Sequence, residues 1–410
     1  AAAIFWGGGL MVTSLGVSLH QLWLIWLGAG VIGGIGLGLG YISPVSTLIK
    51  WFPDRRGLAT GMAIMGFGGG AMIGMPLGDY LIKANGVGET FFIMGLIYFI
   101  AMTIGAFGYR VPAEGWKPEG WNPVAKKTNN MISSSHVHVS NAHKTPQFWL
   151  LWGVLCLNVS AGIGVLSVAK PMFQEIAASS FDPLIIGAIA TGFGALLSLA
   201  NIIGRIFWAS SSDFLGRKLT YAIFFSLGTA LYLAAPWAGI NQYIATFVLI
   251  TLVILTMYGG GFATIPAYLA DIFGTQHVGA IHGRLLTAWS LAGIVGPMLI
   301  SYLREYQLSM GIPTDQAYNS SFKILALLLV AGFILNLLVK PVNKKFGMTP
   351  AELKAEQGAL KGTQTNSSVV ASVTNTSMQK ILLPLAWIVV GVPITLGILN
   401  ALQKGIIIFL

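Results

Sequence analysis

The feature that most constrains this chain is its division into long apolar runs separated by short charged or turn-rich breaks. A helix that crosses a bilayer needs about 20 consecutive apolar residues. Eleven runs meet that length within a few residues, at 1–17, 22–49, 58–79, 90–109, 147–170, 184–210, 219–237, 243–268, 285–303, 322–339 and 382–403. Water cannot be the main solvent of such a chain. Only 9% of its residues are charged, against about 25% in an ordinary soluble domain, too few to cover a core of this size with a polar shell. The sequence therefore predicts an all-α integral membrane protein that crosses the lipid bilayer many times.

The net charge of +10 suggests a nucleic-acid partner until the basic residues are placed along the chain. If the break at 50–57 faces the cytoplasm, alternation leaves only Lys83, Lys170, Arg304, Lys323 and Lys404 outside. Arg205 falls within a span, and the other 17 of the 23 lysines and arginines lie inside. That asymmetry is what the positive-inside rule demands, so the charge needs no nucleic acid. The single cysteine, Cys156, lies in an apolar run and reads as a core residue, which excludes a disulfide framework and a cysteine-based metal cluster. The chain opens Ala1-Ala2-Ala3-Ile4-Phe5-Trp6 without a basic n-region or cleavage site, and the start reads as a point inside a helix.

Two breaks are longer than turns. Residues 110–146 are polar and carry His136, His138 and His143; residues 341–381 are rich in Lys, Ser, Thr and Asn. They divide the chain into a first half-bundle of four helices (1–110), a cytoplasmic linker (111–146), a second half-bundle of six helices (147–340), a polar cytoplasmic tail (341–381) and an additional spanning helix (382–403). No carboxylate or cysteine beside His136 and His138 in sequence completes a ligand set, so the histidines read as part of a solvated loop and no metal is expected. Glycines crowd two spans, Gly34, Gly36, Gly38 and Gly40 in one and Gly66, Gly68, Gly69 and Gly70 in the next, as expected where helix backbones approach closely in lipid. They lie inside apolar runs, not between a strand and a helix, and are no dinucleotide fingerprint. No phosphate-binding loop, zinc-protease motif or nucleophile elbow is present, and neither an enzyme nor a cofactor is expected.

A weak internal repeat with an offset of about 220 residues pairs Pro44 and Lys50-Trp51-Phe52-Pro53-Asp54-Arg55-Arg56-Gly57 with Pro266, Asp271-Ile272-Phe273-Gly274 and Gly283. Parallel repeats of this kind mark one large class of secondary transporters. The second half also carries Ser212-Asp213-Phe214-Leu215-Gly216-Arg217-Lys218, expected as a short cytoplasmic turn between two spans. Asp213, Gly216, Arg217 and Lys218, with Asp54, Arg55 and Arg56 in the first half, are candidates for a latch whose ion pairs rearrange as the halves rock. This Asp-x-x-Gly-Arg-Lys turn resembles the loop signature of the major facilitator superfamily.

Within that superfamily the chain resembles the oxalate/formate antiporter family over residues 1–340. The resemblance rests on Gly40-Tyr41-Ile42-Ser43-Pro44, on Trp51 to Gly57, on Lys144-Thr145-Pro146-Gln147-Phe148-Trp149, on Gly204-Arg205 leading into Ser212-Asp213, and on Asp271-Ile272-Phe273-Gly274. It implies a helix bundle of two pseudo-symmetric halves in a bacterial or archaeal plasma membrane. It also implies that the chain starts at the family's third helix, with a loss of activity expected in consequence, and that 382–403 is an addition to the usual twelve.

The candidate site begins with Arg205, the one basic residue well inside a span, where a charge costs about 2.5 to 3.5 kcal/mol. A guanidinium offers a planar fork that matches a carboxylate, so the expected partner is a small carboxylate anion; backbone carbonyls, or snorkelling toward the nearby cytoplasmic turn, are the other reading. Asn201, one helical turn earlier, shares its face. The resemblance adds Tyr41, Tyr258 and Phe262 as aromatic walls of an anion site, and places Trp289 where oxalate-carrying relatives have a second buried cation, a lysine. One arginine balances a monocarboxylate such as formate, lactate or pyruvate better than a dianion. The expected function is a secondary carrier working by alternating access, with antiport and proton symport both open. An oxalate/formate exchanger and a non-transporting sensor on the same fold are the alternatives.

Overall fold

The computed structural model describes residues 1–356 other than 109, 113–115, 119, 121–130 and 134, together with Thr395, Leu399 and Leu402. Most of the central linker, the tail beyond 356 and the expected helix 382–403 thus lie outside the described residues. Before the linker the chain forms α1 (Ala2–Ser18), α2 (Leu22–Trp51) and α3 (Arg56–Phe107). After it come α4 (Pro146–Ser167), α5 (Ala169–Ile176), α6 (Ile186–Leu215), α7 (Arg217–Ile240), α8 (Ile244–Phe273), α9 (Val278–Leu285), α10 (Thr287–Ser309) and α11 (Asn319–Leu338). Among the described residues eight helical segments are long and apolar enough to cross a membrane, and α1 is a shorter apolar helix. Large side chains such as Phe107, Leu184 and Leu327 lie exposed on the outside of the bundle, where lipid is their natural solvent.

Three expectations need correction. The spans 58–79 and 90–109 are two helices within α3, as expected, but they meet directly at a kink at Gly86 with no longer break between them; its φ of 80° is open to glycine and closed to most other residues. Helical geometry carries on through Asp79 and Lys83, which pair at 2.8 Å. The segment 212–218 is not a loop, because α6 continues to Leu215 and the reversal is made by Gly216 alone, at φ 86°. Asp213 therefore sits on a helix, one turn before Arg217. Lastly, the glycine-rich spans are only partly packing surfaces. A side chain at Gly36 would collide with the backbone of Trp6, whereas Gly34, Gly38, Gly66 and Gly70 face open space.

Helix starts follow the local chemistry. Pro146 opens α4 behind Thr145, whose hydroxyl accepts the Phe148 N–H at 3.4 Å. The second group is knitted by aromatic side chains along its axis, Phe173 against Phe193 at 4.9 Å and Tyr232 against Phe322 at 5.9 Å. The two groups meet where α3 packs on α6 and α8, and where α2 meets α8 and α9. Several of them, Arg56 with Asp271 and Asp213 with Gly57 and Leu58 among them, lie toward the end with the basic excess. There the linker residue Val137 donates its N–H to Phe273 at 2.9 Å and pairs with Gly347 of the tail. Burial, with His277 and Arg56 nearby, holds the neighbouring His136 below the usual histidine range.

The closest approach between the groups uses Gly57 and Gly61. A Cβ on Gly61 would stand 2.6 Å from the Arg205 carbonyl oxygen, and one on Gly57 would strike the Ala209 carbonyl. Gly57→Leu should therefore force this end apart. A cysteine introduced at Ala209 would then react with a water-soluble maleimide about tenfold faster, a shift of ~1.4 kcal/mol. The native Cys156 is buried and contributes little background. An unchanged labelling rate would show that closure does not depend on this contact.

Candidate functional site

Arg205 is buried in the middle of α6, with 3% of its surface exposed. Its Nε donates to Asn201 Oδ1 at 3.1 Å and its Nη1 to the carbonyl oxygen of Ile64, on α3, at 2.8 Å. Both acceptors are neutral. Among the described residues no carboxylate lies within ion-pairing distance of the guanidinium, and its hydrogen bonds leave Nη2 available. A buried cation without an anion is costly unless a ligand balances it. The carbonyl reading of Arg205 is thus half realised, and the bond it makes joins the two groups of helices.

Aromatic side chains wall this cation. Phe262 lies 5.5 Å and Phe67 5.8 Å from the guanidinium carbon, ring centroid to Cζ, distances at which ring faces attract a cation. Tyr41 stacks near Phe262 at 5.4 Å, and Trp289 closes the group at 5.8 Å from Phe262. Tyr41 and Tyr258 are close enough to interact electrostatically with Arg205. The structure therefore brings together Arg205, Asn201, Tyr41, Tyr258, Phe262 and Trp289, from four helices distant in sequence. Tyr41 keeps its hydroxyl buried without a hydrogen-bond partner among the described residues.

Two wall residues escaped sequence reasoning. Phe67 touches Tyr41 at 5.7 Å and Trp289 at 6.3 Å; it sits in a glycine-rich run where one aromatic gives no signal. His282 packs edge-on against Tyr41 at 5.6 Å, 2% exposed, with Nε2 unpartnered among the described residues. Its place beside Gly283 and Arg284 made it look like part of a cytoplasmic break. A cavity of about 240 Å³ opens among Trp6, Tyr41, Phe67 and Met102, within the first group of helices. It shares two walls with the Arg205 cluster but contains no charged side chain, so the chemistry belongs to the cluster.

At the end with the basic excess the latch candidates separate into two sets. Asp213 accepts the N–H groups of Gly57 and Leu58 at 2.9 and 3.0 Å, so a carboxylate of one group of helices caps the first turn of α3 in the other, where the helix dipole favours an anion. Arg217 pairs with Asp213 at 2.5 Å and with Asp271 at 3.1 Å, and also donates to the Ser212 hydroxyl. Asp271 takes Arg56 at 3.0 Å across the boundary. Lys218 instead donates to the carbonyls of Leu337 and Val339 at 2.7 and 2.8 Å, closing α11 within its own group. Asp54 and the exposed Arg55 pair with each other at 3.7 Å, so neither Arg55 nor Lys218 joins the inter-group cluster. Asp271, which the sequence showed only within a repeat and a family motif, is the acid that links Arg56 to Arg217.

Comparison with known proteins gives this arrangement a family context. The family model for the Major Facilitator Superfamily matches residues 1–297 and, in a second register, 159–406. The oxalate:formate antiporter of Oxalobacter formigenes is 27% identical over 326 residues, covering 78% of this chain and 72% of that protein. Apicoplast pyruvate carrier 1 of Toxoplasma gondii is 25% identical over 371 residues, covering 75% of this chain and 64% of the relative. Among solved structures the fucose:proton symporter of E. coli superposes with a TM-score of 0.58 over 83% of each chain at 12% identity, a likeness of fold.

The ion-pair cluster around Asp271 predicts an unequal response to mutation. Asp271→Asn leaves two mostly buried guanidinium groups short of an anion, and breaking such a pair costs about 3 to 5 kcal/mol. Arg55 is largely exposed, so Arg55→Ala changes stability by less than ~1 kcal/mol. Thermal melts of the two variants in detergent should differ accordingly, and equal melting temperatures would refute the assignment of Asp271 as the link.

Proposed function

Because the chain belongs to the major facilitator superfamily and is a multi-pass membrane transporter by that membership, we propose that it is a secondary carrier of small organic monocarboxylates such as formate, lactate or pyruvate, in a bacterial or archaeal plasma membrane. The observation that carries this reading is Arg205: a fully desolvated guanidinium, held by two neutral oxygens, under a wall of aromatic rings. The carboxylate takes the charge, and the aromatic wall accommodates a short apolar remainder of the substrate. Tyr41 and Asn201 supply hydrogen bonds that are indifferent to which monocarboxylate binds.

A dianion fits poorly. Trp289 occupies the far wall without a charge, so a second carboxylate enters a low-dielectric space with nothing to balance it. The two named relatives carry oxalate and formate in one case and pyruvate in the other, which supports the carboxylate class and leaves selectivity to the wall. Alternating access then follows from the two ends of one structure. The cytoplasmic end is closed by Asp213, Arg217, Asp271 and Arg56, and transport requires that these pairs open as the outer end closes. Coupling is by exchange of anions or by proton symport.

Counterflow in proteoliposomes holding the full-length protein tests this proposal. Labelled lactate or formate should accumulate in vesicles loaded with the same unlabelled anion, and Arg205→Ala should abolish uptake. Loss of one charge-assisted pair corresponds to about 1.5 to 3 kcal/mol, or ten- to a hundredfold in affinity. Ligand binding without flux would replace the carrier with a sensor. Stronger inhibition by oxalate than by lactate would overturn the monocarboxylate assignment. Trp289→Lys, which introduces a second cation on the wall, should shift competition toward oxalate by at least about tenfold.

A further inference from the structure

The sequence reading left His138 without a carboxylate, and the folded chain supplies one. Glu356, 218 residues further along the chain, places Oε2 3.0 Å from His277 Nε2 and Oε1 3.8 Å from His138 Nε2. The two imidazole rings meet edge to face at 4.8 Å, and one ligand atom from each of the three residues lies within 4.8 Å of the others. We propose that His138, His277 and Glu356 form a binding site for a divalent transition metal of the zinc class, at the cytoplasmic end and separate from the Arg205 cluster.

Each donor comes from a different segment and each is held by its own surroundings. His277 stands at the N-cap of α9, where its carbonyl accepts the Ile281 N–H at 3.0 Å. His138 begins the short helical turn Val139–Ala142, with Nδ1 2.6 Å from the Ser140 hydroxyl and 3.2 Å from the Ser140 N–H. When Nε2 ligates a metal, Nδ1 carries the proton and donates it to that hydroxyl, the outer hydrogen bond that orients metal-binding histidines, and the Ser140 N–H, which donates to Nδ1 in the metal-free arrangement, gives up that bond. Glu356 lies on the helical stretch 350–356, opened by a reciprocal cap: Glu352 accepts from the Thr349 N–H at 2.7 Å and its hydroxyl at 2.9 Å, and returns its own N–H to that hydroxyl at 3.3 Å. Those bonds hold Glu352 below the usual carboxylate range, and Glu356 follows one turn later on the same face.

A simple histidine–glutamate pair needs one imidazole. Here each carboxylate oxygen faces a different ring, and both facing nitrogens are Nε2, the geometry of two imidazoles and a carboxylate that suits zinc with its fourth position taken by water. A tetrahedral centre spaces its ligands about 3.3 Å apart, so the present distances close by small side-chain rotations. A metal at this point ties the linker and the tail to the turn between α8 and α9, a few residues from the Arg56–Asp271 bridge.

The test uses the full chain, purified in detergent without a polyhistidine tag, with Zn²⁺ alone as the probe in competition with a chromogenic chelator. One Zn²⁺ per chain is expected, weakened at least tenfold by His277→Ala and by Glu356→Gln, and unaffected by His20→Ala, which removes an exposed histidine far along the chain. X-ray absorption of the loaded protein should show two imidazoles with nitrogen at about 2.0 to 2.1 Å. Glu356→Gln keeps the shape of an exposed helix, so its loss of binding is not a folding effect. No binding by the unaltered chain, or equal binding by all the variants, would overturn the proposal. Either result leaves the monocarboxylate reading untouched, because that reading is measured at Arg205.

Discussion

The arrangement depends first on a balance of charge at the end with the basic excess. Two carboxylates, Asp213 and Asp271, and two guanidinium groups, Arg56 and Arg217, neutralise one another where water is largely excluded. Because Asp213 also caps the first turn of α3, the same carboxylate satisfies backbone donors that would otherwise be orphaned. A side chain of the second group of helices therefore completes the secondary structure of the first. Glycine at positions 57 and 61 allows the approach, and the approach makes the ion pairs short.

From that closure the rest of the site follows. With α3 drawn against α6, the carbonyl of Ile64 comes within reach of Arg205, and Phe67 comes over its face. Tyr41 on α2 and Phe262 on α8 meet across the same boundary. The proposed anion site is thus an interface, built only when both groups of helices are in contact. A residue on either side of it serves packing and recognition together, which explains why aromatic side chains dominate a wall that has only one charge behind it.

Much of this was legible in the residues. Apolar run length gave the spans, since each needs only local composition to be recognised, and a lone arginine inside a span announces its own cost. What stayed hidden was relational. Nothing in the local pattern marks Asp271 as the partner of Arg56, 215 positions away, or distinguishes it from Asp54, which pairs beside itself. Helix ends misled for the opposite reason: a charged segment such as 212–218 reads as a loop, yet helices in a membrane carry their charges past the bilayer surface, and only a positive φ at Gly216 stops this one. His138 and Glu356 were each unremarkable in their own neighbourhoods.

The hydrogen bond from Arg205 to the Ile64 carbonyl has a kinetic meaning. On the proposed reading a carboxylate on Nη2 draws on the same guanidinium that Nη1 ties to that carbonyl, so occupancy and inter-group attachment are coupled through one side chain, and by whatever factor binding changes the attachment, attachment changes binding. On that reading an unloaded chain is held at this boundary by its own backbone, and a ligand that turns the guanidinium toward itself loosens the tether. In a carrier working as proposed, such a device would suppress idle cycling of the empty protein and tie each reorientation to a passenger.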